Sequence, residues 1–272
     1  IELYFSISLL NNERKSPNMK EQIHTIPIND ALDNAGECLF CYIERRTEEH
    51  CMNFVLGHGA SYMEADIREL TDKAGFCRSH FKKMFDYGNS LGNAWILKTH
   101  YRKIIDEMNK EFKNFKPGKL AKKGLFSKPS ATDGNNSIVS WIKEKECSCY
   151  ICNNVQNTFN AYLKTFFTMY TKDATIREKF FNTKGVCLSH FANLMEGADQ
   201  YLSASEQEEF YKKFLPIMSS NMERIYEDVA WFIEKYDYKN KDADWKDSRD
   251  AVQRTMQKLA GGYAADPIYT QE

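Results

Sequence analysis

Glycine and proline are scarce in this chain of 272 residues, which has 13 glycines and 6 prolines. So few turn-forming residues argue against a loop-rich or all-β protein. The chain also lacks any apolar run that approaches the ~20 residues of a membrane-spanning helix. Its formal net charge is −1, so no bulk field attracts nucleic acid or a membrane surface. We therefore expect no transmembrane segment and no nucleic-acid partner.

Familiar catalytic motifs are missing as well. The sequence contains no phosphate-binding loop, no dinucleotide-binding fingerprint and no nucleophile elbow. What it does contain is helical periodicity over most of its length, with 42% hydrophobic and 14% aromatic residues to build a core. The pattern predicts an all-α protein. It includes a helix over residues 39–56 and a short C-terminal helix that stops at Gly261-Gly262.

A cysteine–histidine constellation occurs twice. In each copy a Cys-x2-Cys pair is followed, after 35 or 34 residues, by a Cys-x2-His-Phe segment with a glycine two positions before its cysteine. The offset between the copies is 111 residues for the first pair and 110 for the second, which indicates an internal duplication. The eight candidate ligands are Cys38, Cys41, Cys77, His80, Cys149, Cys152, Cys187 and His190.

Three thiolates and one imidazole form a complete tetrahedral shell for zinc. Because catalytic zinc keeps a coordination position for water, four protein ligands favour a structural ion. We expect two structural zinc ions, one in each copy of the motif. Iron–sulfur clusters, disulfides and plain buried thiols remain alternatives. Cys147 lies two residues before Cys149 and could replace it as a ligand. Otherwise we expect Cys51 and Cys147 to be bystanders, with a role as resolving partners in oxidation of the zinc thiolates as the alternative.

The periodicity divides the chain into five parts. Residues 1–18 are expected to be an N-terminal extension, disordered or artefactual, with Met19 as the natural start. Two tandem duplicated helical halves follow, at 19–115 and 137–236, and each is predicted to be clamped by its own Cys3His site. Between them, Pro, Gly and Lys residues at 116–136 indicate a flexible basic linker. Residues 237–272 hold a connector, the C-terminal helix and a tail.

Local signals predict particular helix ends. Ser61 with Glu64, and Ser203 with Glu206, have the spacing of a capping box at a helix N-terminus. Pro216 falls inside the long helical stretch that Ser203 opens. Since proline removes a backbone donor and clashes with the preceding turn, we expect a kink or a break there.

Eight stretches of the chain have a specific sequence: Met19-Lys20-Glu21, Thr25-Ile26-Pro27, Glu37-Cys38-Leu39-Phe40-Cys41, Tyr62–Arg68, Gly75–His80, Gly88–Gly92, Thr99-His100 and Arg249–Arg254. Together they resemble a bacterial family, domain of unknown function 6062. The resemblance covers nearly the whole chain from Met19. It implies a bacterial protein and supports Met19 as the start, but it supplies no activity.

Taken together, the sequence predicts a cytoplasmic, two-zinc helical protein that works as an interaction or regulatory module with a protein partner. Two alternatives stay open. One is a thiol-redox sensor or oxidoreductase that uses the zinc-site cysteines, and the other is a metal-dependent hydrolase. The sequence gives no indication of the oligomeric state.

Overall fold

The computed structural model describes residues 25–34, 36–116 and 136–270. Within these ranges the chain forms eleven α-helices and no strand, which confirms the all-α prediction. The expected extension at 1–18, and all of the expected linker except its two end residues, lie outside the described residues. The helices are α1 (Ile26–Asn34), α2 (Leu39–Leu56), α3 (Ala65–Ala74), α4 (Arg78–Asp86), α5 (Ser90–Asn114), α6 (Ser137–Glu146), α7 (Tyr150–Lys172), α8 (Ala174–Phe181), α9 (Leu188–Tyr201), α10 (Ala204–Glu234) and α11 (Ala251–Ala260).

Helices α2 and α7 pack against each other in antiparallel fashion at the centre of the molecule. Phe40, near the start of α2, lies edge-to-face against Phe159 and Phe166 of α7, with ring centroids 5.5 and 5.6 Å apart. At the other end of the pair, Phe54 of α2 and Tyr150 of α7 line one cavity. Edge-to-face aromatic pairs contribute roughly 0.5–1.5 kcal/mol each beyond the area they bury. The packing of this helix pair determines where the two cores and the candidate metal ligands lie.

Two hydrophobic cores flank the central pair. The first unites the start of α2 with α7 to α10, around a cluster of phenylalanine rings such as Phe166, Phe180 and Phe210. The second unites the end of α2 with α4, α5 and the segments on either side of α3, and also takes in Cys149 and Ile151 around the start of α7. Each core therefore combines residues from both sides of the expected linker.

Of the two predicted capping boxes, one is present and the other is not. The capping box at Ser203 and Glu206 is present and begins α10. The one at Ser61 and Glu64 is wrong, because residues Ser61–Met63 form a 3-10 turn and α3 begins only after Glu64, whose side chain makes no cap hydrogen bond.

Pro216 does not split the long helix. Helix α10 continues from Ala204 to Glu234 with Pro216 inside it. The flanking residues Phe214 and Met218 are both buried, and the area they bury offsets the loss of one backbone hydrogen bond.

Among the described residues, none of the helices combines the length and the apolarity needed to cross a membrane.

Candidate metal centres

The eight cysteine and histidine residues predicted from the repeat gather into two compact groups. Cluster one consists of Cys38, Cys41, Cys187 and His190, and cluster two consists of Cys77, His80, Cys149 and Cys152. Within each cluster the potential ligand atoms lie within 4.8 Å of one another. Both clusters could hold a metal ion.

The pairing of the ligands is exchanged between the two copies of the motif. Each Cys-x2-Cys pair meets the Cys-x2-His pair of the other copy. The prediction that each half is clamped by its own Cys3His site is therefore wrong in its pairing, although it names all eight residues.

The length of α2 explains the exchange. His80 contacts Glu48, which lies ten residues beyond Cys38, or about 15 Å along a helix that rises 1.5 Å per residue. Cys38 therefore cannot reach the ion that His80 would bind. Because α7 runs antiparallel to α2, its Cys149 end lies beside the far end of α2, where the backbone N–H of Tyr150 donates to the carbonyl of Gly75 at 2.8 Å.

Every ligand pair sits at the start of a helix. Cys38, Cys77, Cys149 and Cys187 are the N-cap residues of α2, α4, α7 and α9, and the second ligand of each pair comes three positions later. The exposed backbone N–H groups and the positive end of the helix dipole favour a thiolate at these positions. Two helix N-termini thus converge on each cluster.

A glycine shapes the turn before each Cys-x2-His pair. Gly75 and Gly185 have φ angles of +63° and +74°, a region that side chains other than glycine rarely adopt. A Cβ on Gly185 would also lie 2.9 Å from the Met218 sulfur. Each turn delivers the following cysteine to its cluster.

The distances within the clusters fit a tetrahedral zinc site. Sulfur atoms 2.3 Å from a tetrahedral ion are about 3.8 Å apart. Cys41 and Cys187 in cluster one have Sγ atoms 3.7 Å apart, and Cys77 and Cys152 in cluster two have Sγ atoms 3.8 Å apart. These separations are far longer than the ~2.05 Å of a disulfide, and all eight cysteines are free thiols.

Both histidines turn the same nitrogen toward the sulfurs. The Nδ1 atom of His190 lies 3.1–3.6 Å from the three sulfur atoms of cluster one. The Nδ1 atom of His80 lies 3.2–3.3 Å from those of cluster two. The opposite nitrogens face carboxylates: His190 Nε2 is 3.2 Å from Glu44, and His80 Nε2 is 2.7 Å from Glu48. A carboxylate behind a ligating histidine fixes the ring and raises its basicity.

The protons of cluster one are distributed by competition among its thiols. Hydrogen bonds from Cys38 and Cys41 lower the pKa of Cys187 far below its usual value, whereas hydrogen bonds with Cys187 and Cys38 raise the pKa of Cys41. Burial alone would lower the pKa of His190, but hydrogen bonds with Cys187, Cys38 and Glu44 outweigh it and raise that pKa to about 12. A divalent cation relieves this crowding because it neutralises several thiolates at once.

The thiols of cluster two compete for protons in the same way, but they are more exposed to solvent. Burial raises the pKa of Cys77, but hydrogen bonds from Ser79 and His80 outweigh it and lower that pKa to about 6. Burial and the neighbouring Cys149 raise the pKa of Cys152 to about 12. Burial also raises the pKa of Cys149, but hydrogen bonds from His80 and the Cys152 backbone outweigh it and lower that pKa.

The two clusters differ in exposure. All four residues of cluster one are buried, whereas in cluster two Cys152 is exposed and Cys77 is intermediate. Cluster one is therefore shielded from solvent reagents, and cluster two offers them two sulfur atoms.

The two remaining cysteines lie outside the clusters. Cys147 is exposed at the C-cap of α6, so it is Cys149 that joins cluster two. Cys51 lines a cavity of about 430 Å³ between α2 and α7, and burial raises the pKa of its thiol.

A buried lysine connects the segments that carry the ligands of cluster one. Lys258 of α11 donates to the carbonyls of Glu37 and Lys184 at 2.8 and 2.5 Å. Glu37 directly precedes Cys38, and Lys184 begins the turn that leads to Cys187. The side chain of Glu37 is itself buried and pairs with Arg224 at 2.5 Å.

Three residues that support the clusters were not predicted from the sequence: Glu44, Glu48 and Lys258. The two glutamates are one helical turn apart and follow Cys41 on the same helix, which is the available signal. Their role is visible only once the histidines of the other helices are placed beside them. Nothing in the local sequence marks Lys258.

A model of a family of unknown function, DUF6062, matches residues 19–266 and confirms the resemblance seen in the sequence. Comparison with curated proteins and with solved structures finds no match.

Proposed function

The chain belongs to the DUF6062 family, and from its two clusters we propose that it is a zinc protein with two structural ions. In this proposal the ions hold the two halves together, and the clamped helices present a binding surface to a protein partner. The observation that carries the proposal is the exchanged pairing. Each cluster takes two of its candidate ligands from the first half and two from the second. Removing an ion would loosen the contact between the halves.

The donor set supports zinc and a structural role. Three cysteines and one histidine suit zinc, and four side-chain ligands fill its tetrahedral shell. Metal analysis of protein purified under reducing conditions should find two zinc ions per chain, and a strong chelator should lower the melting temperature. Less than one zinc per chain, or iron with acid-labile sulfide, would contradict the proposal.

A catalytic site is distinguished from a structural one by an open coordination position. In cobalt-substituted protein, the visible absorption bands should indicate tetrahedral sulfur-rich coordination and should not change when azide is added. Bands that shift with azide would reveal an exchangeable ligand and would favour a metal-dependent hydrolase instead.

The interaction role concerns a partner that is still unidentified. It predicts that a partner protein forms a defined complex with the zinc-loaded chain and dissociates when zinc is removed. Calorimetry with the purified pair measures this binding. The proposal includes a bacterial cytoplasm, because free thiolate clusters suit a reducing compartment. Turnover of a substrate by the purified chain would contradict a purely structural role.

One observation favours a second candidate, a thiol-redox sensor that uses cluster two. Cys152 is exposed, Cys77 is intermediate, and their sulfur atoms are 3.8 Å apart. Hydrogen peroxide would oxidise one thiolate to a sulfenic acid with release of hydroxide. The second thiolate would then displace the sulfenic hydroxyl as hydroxide, form a disulfide and release zinc.

The redox candidate has its own test. Mild peroxide should release one zinc per chain and yield a Cys77–Cys152 disulfide in a peptide map, and a thiol reductant with added zinc should reverse both changes. Cys152→Ser should abolish the disulfide. If neither zinc nor thiols are lost from the folded protein, the sensor role fails while the structural role stands.

A further inference from the structure

The segment that follows α11, residues 261–270, reaches both clusters; we call it the C-terminal strap. At its start, the backbone N–H of Gly262 donates to Cys41 Sγ of cluster one at 3.3 Å. Near its end, the Tyr269 hydroxyl donates to Glu48 Oε2 at 2.5 Å. The strap thus contacts a metal-ligand candidate of cluster one and the carboxylate behind the histidine of cluster two.

Tyr269 is anchored firmly in the second core. Its side chain is 4% exposed, and the Arg45 guanidinium lies 3.8 Å from the centre of its ring. Arg45 also donates to the carbonyl of Pro267 and lies 4.0 Å from the Asp266 carboxylate. The Arg45 side chain therefore holds the strap at three points.

Tyr269 completes a chain of hydrogen bonds that leads to cluster two. One oxygen of Glu48 accepts from His80 Nε2 at 2.7 Å and from Lys83 at 2.5 Å, and the other accepts from Tyr269. Both oxygens of the carboxylate are thus held in place. Since partners behind a ligating histidine set its orientation and basicity, the tyrosine acts on His80 through Glu48.

Cluster one lacks the equivalent chain. Glu44, behind His190, is 38% exposed, and the 3.2 Å contact with His190 is the one ion pair that it makes among the described residues. In the part of the chain that the structure describes, the strap makes one hydrogen bond to this cluster, from the Gly262 N–H to Cys41 Sγ. A change at the Tyr269 hydroxyl should therefore affect one cluster and spare the other.

The strap also lines a cavity of about 500 Å³ beside α2. The cavity is lined by Cys41, Glu44 and Glu48 from α2 and by strap residues that include Tyr263 and Tyr269. Tyr263 shares the segment and the cavity with Tyr269 but has no hydrogen bond to Glu48, which makes it a matched control.

We propose that the C-terminal strap is an outer shell shared by both metal centres, and that Tyr269 is a positioning residue that orients His80 through Glu48. This inference rests on the proposed zinc sites. In this proposal the strap helps cluster two to retain its ion.

The experiment compares Tyr269→Phe with Tyr263→Phe by chelator competition, after wild-type protein is shown to hold two zinc ions. Tyr269→Phe should raise the zinc dissociation constant of cluster two about tenfold, the lower end of the range for such partners. In a Cys187→Ser background, which leaves cluster two complete, the effect should persist. In a Cys77→Ser background, which leaves cluster one complete, it should vanish.

Spectroscopy separates positioning from general stability. In cobalt-loaded protein, Tyr269→Phe should shift the visible bands of cluster two, whereas Tyr263→Phe should leave them unchanged. Arg45→Gln, which removes the guanidinium contacts to the strap but leaves the Tyr269 hydroxyl in place, should produce a smaller shift of the same sign. If Tyr269→Phe and Tyr263→Phe have equal dissociation constants and spectra while wild type binds two zinc ions, the strap proposal fails and the zinc proposal stands. Wild type without zinc would sink the zinc proposal itself.

Discussion

Cys41 and Cys187 are 146 positions apart in the sequence, yet their sulfur atoms lie 3.7 Å apart. The first belongs to α2 and the second caps α9, on opposite sides of the expected linker. Their contact makes cluster one, a candidate metal site, a bridge between the two sides of the linker. The stability of the clusters should therefore be coupled to the association of the two halves.

The buried Lys258 should be essential to the stability of cluster one. Lys258→Met removes the donor to the carbonyls of Glu37 and Lys184 and breaks the buried ion pair with the Glu37 carboxylate. Loss of one partner in such a buried charged contact costs about 3 kcal/mol. Urea unfolding of the zinc-loaded protein measures the change.

Lys212 provides the control for this prediction. It is an exposed lysine on α10, so Lys212→Met should change the free energy of unfolding by no more than about 0.5 kcal/mol. Equal unfolding midpoints for the two variants would mean that Lys258 has no special role.

The difference in burial between the clusters predicts an order of chemical modification. When the zinc-loaded protein is treated with N-ethylmaleimide, Cys147 and Cys152 should react first, because both are exposed, and Cys77 should follow. Cys38, Cys41 and Cys187 are buried and should resist until the chain unfolds. Peptide mass spectrometry gives the order.

Zinc release should accompany the reaction of Cys152 and not that of Cys147, so Cys147→Ser should leave the release unchanged. Modification of the cluster one cysteines at the rate of Cys152 would show that the burial difference does not govern reactivity.

The capping box of α10 should make a measurable and pH-dependent contribution. Ser203→Ala should cost about 1 kcal/mol of stability at neutral pH, while Ser205→Ala, at an exposed position two residues on, serves as the control.

The pH dependence follows from the Glu206 carboxyl group. Hydrogen bonds from the Ser203 side chain and backbone lower the pKa of Glu206 in the folded protein. Its stabilisation is therefore present above the unfolded pKa of about 4.3 and is lost as the pH falls through the lower, folded pKa. The cost of Ser203→Ala should shrink over that window in acid unfolding curves. A cost that stays constant through that window would contradict the role of Glu206.

Helices and ligands could be predicted from the sequence because their signals are local. The apolar periodicity predicted a helix over residues 39–56, which is the extent of α2. The repeated spacing identified all eight residues that the structure brings into the clusters. Side-chain type and short-range spacing suffice for such statements.

The pairing could not be predicted, because it depends on long-range packing. The two histidines have the same local motif, and only the antiparallel contact of α2 with α7 decides which cysteine pair each one meets. The false capping box at Ser61 has a similar origin. Its residue types are right, but the Gly57 and Ala60 region turns the chain into a 3-10 turn first.

The exchanged pairing is tested most directly by counting chelator-resistant zinc in two double variants. Cys41→Ser with Cys187→Ser removes two ligands from cluster one and leaves cluster two complete, so one resistant zinc per chain should remain. Cys41→Ser with Cys77→Ser removes one ligand from each cluster, so none should remain. The opposite result, with none in the first variant and one in the second, would show that each half binds its own ion.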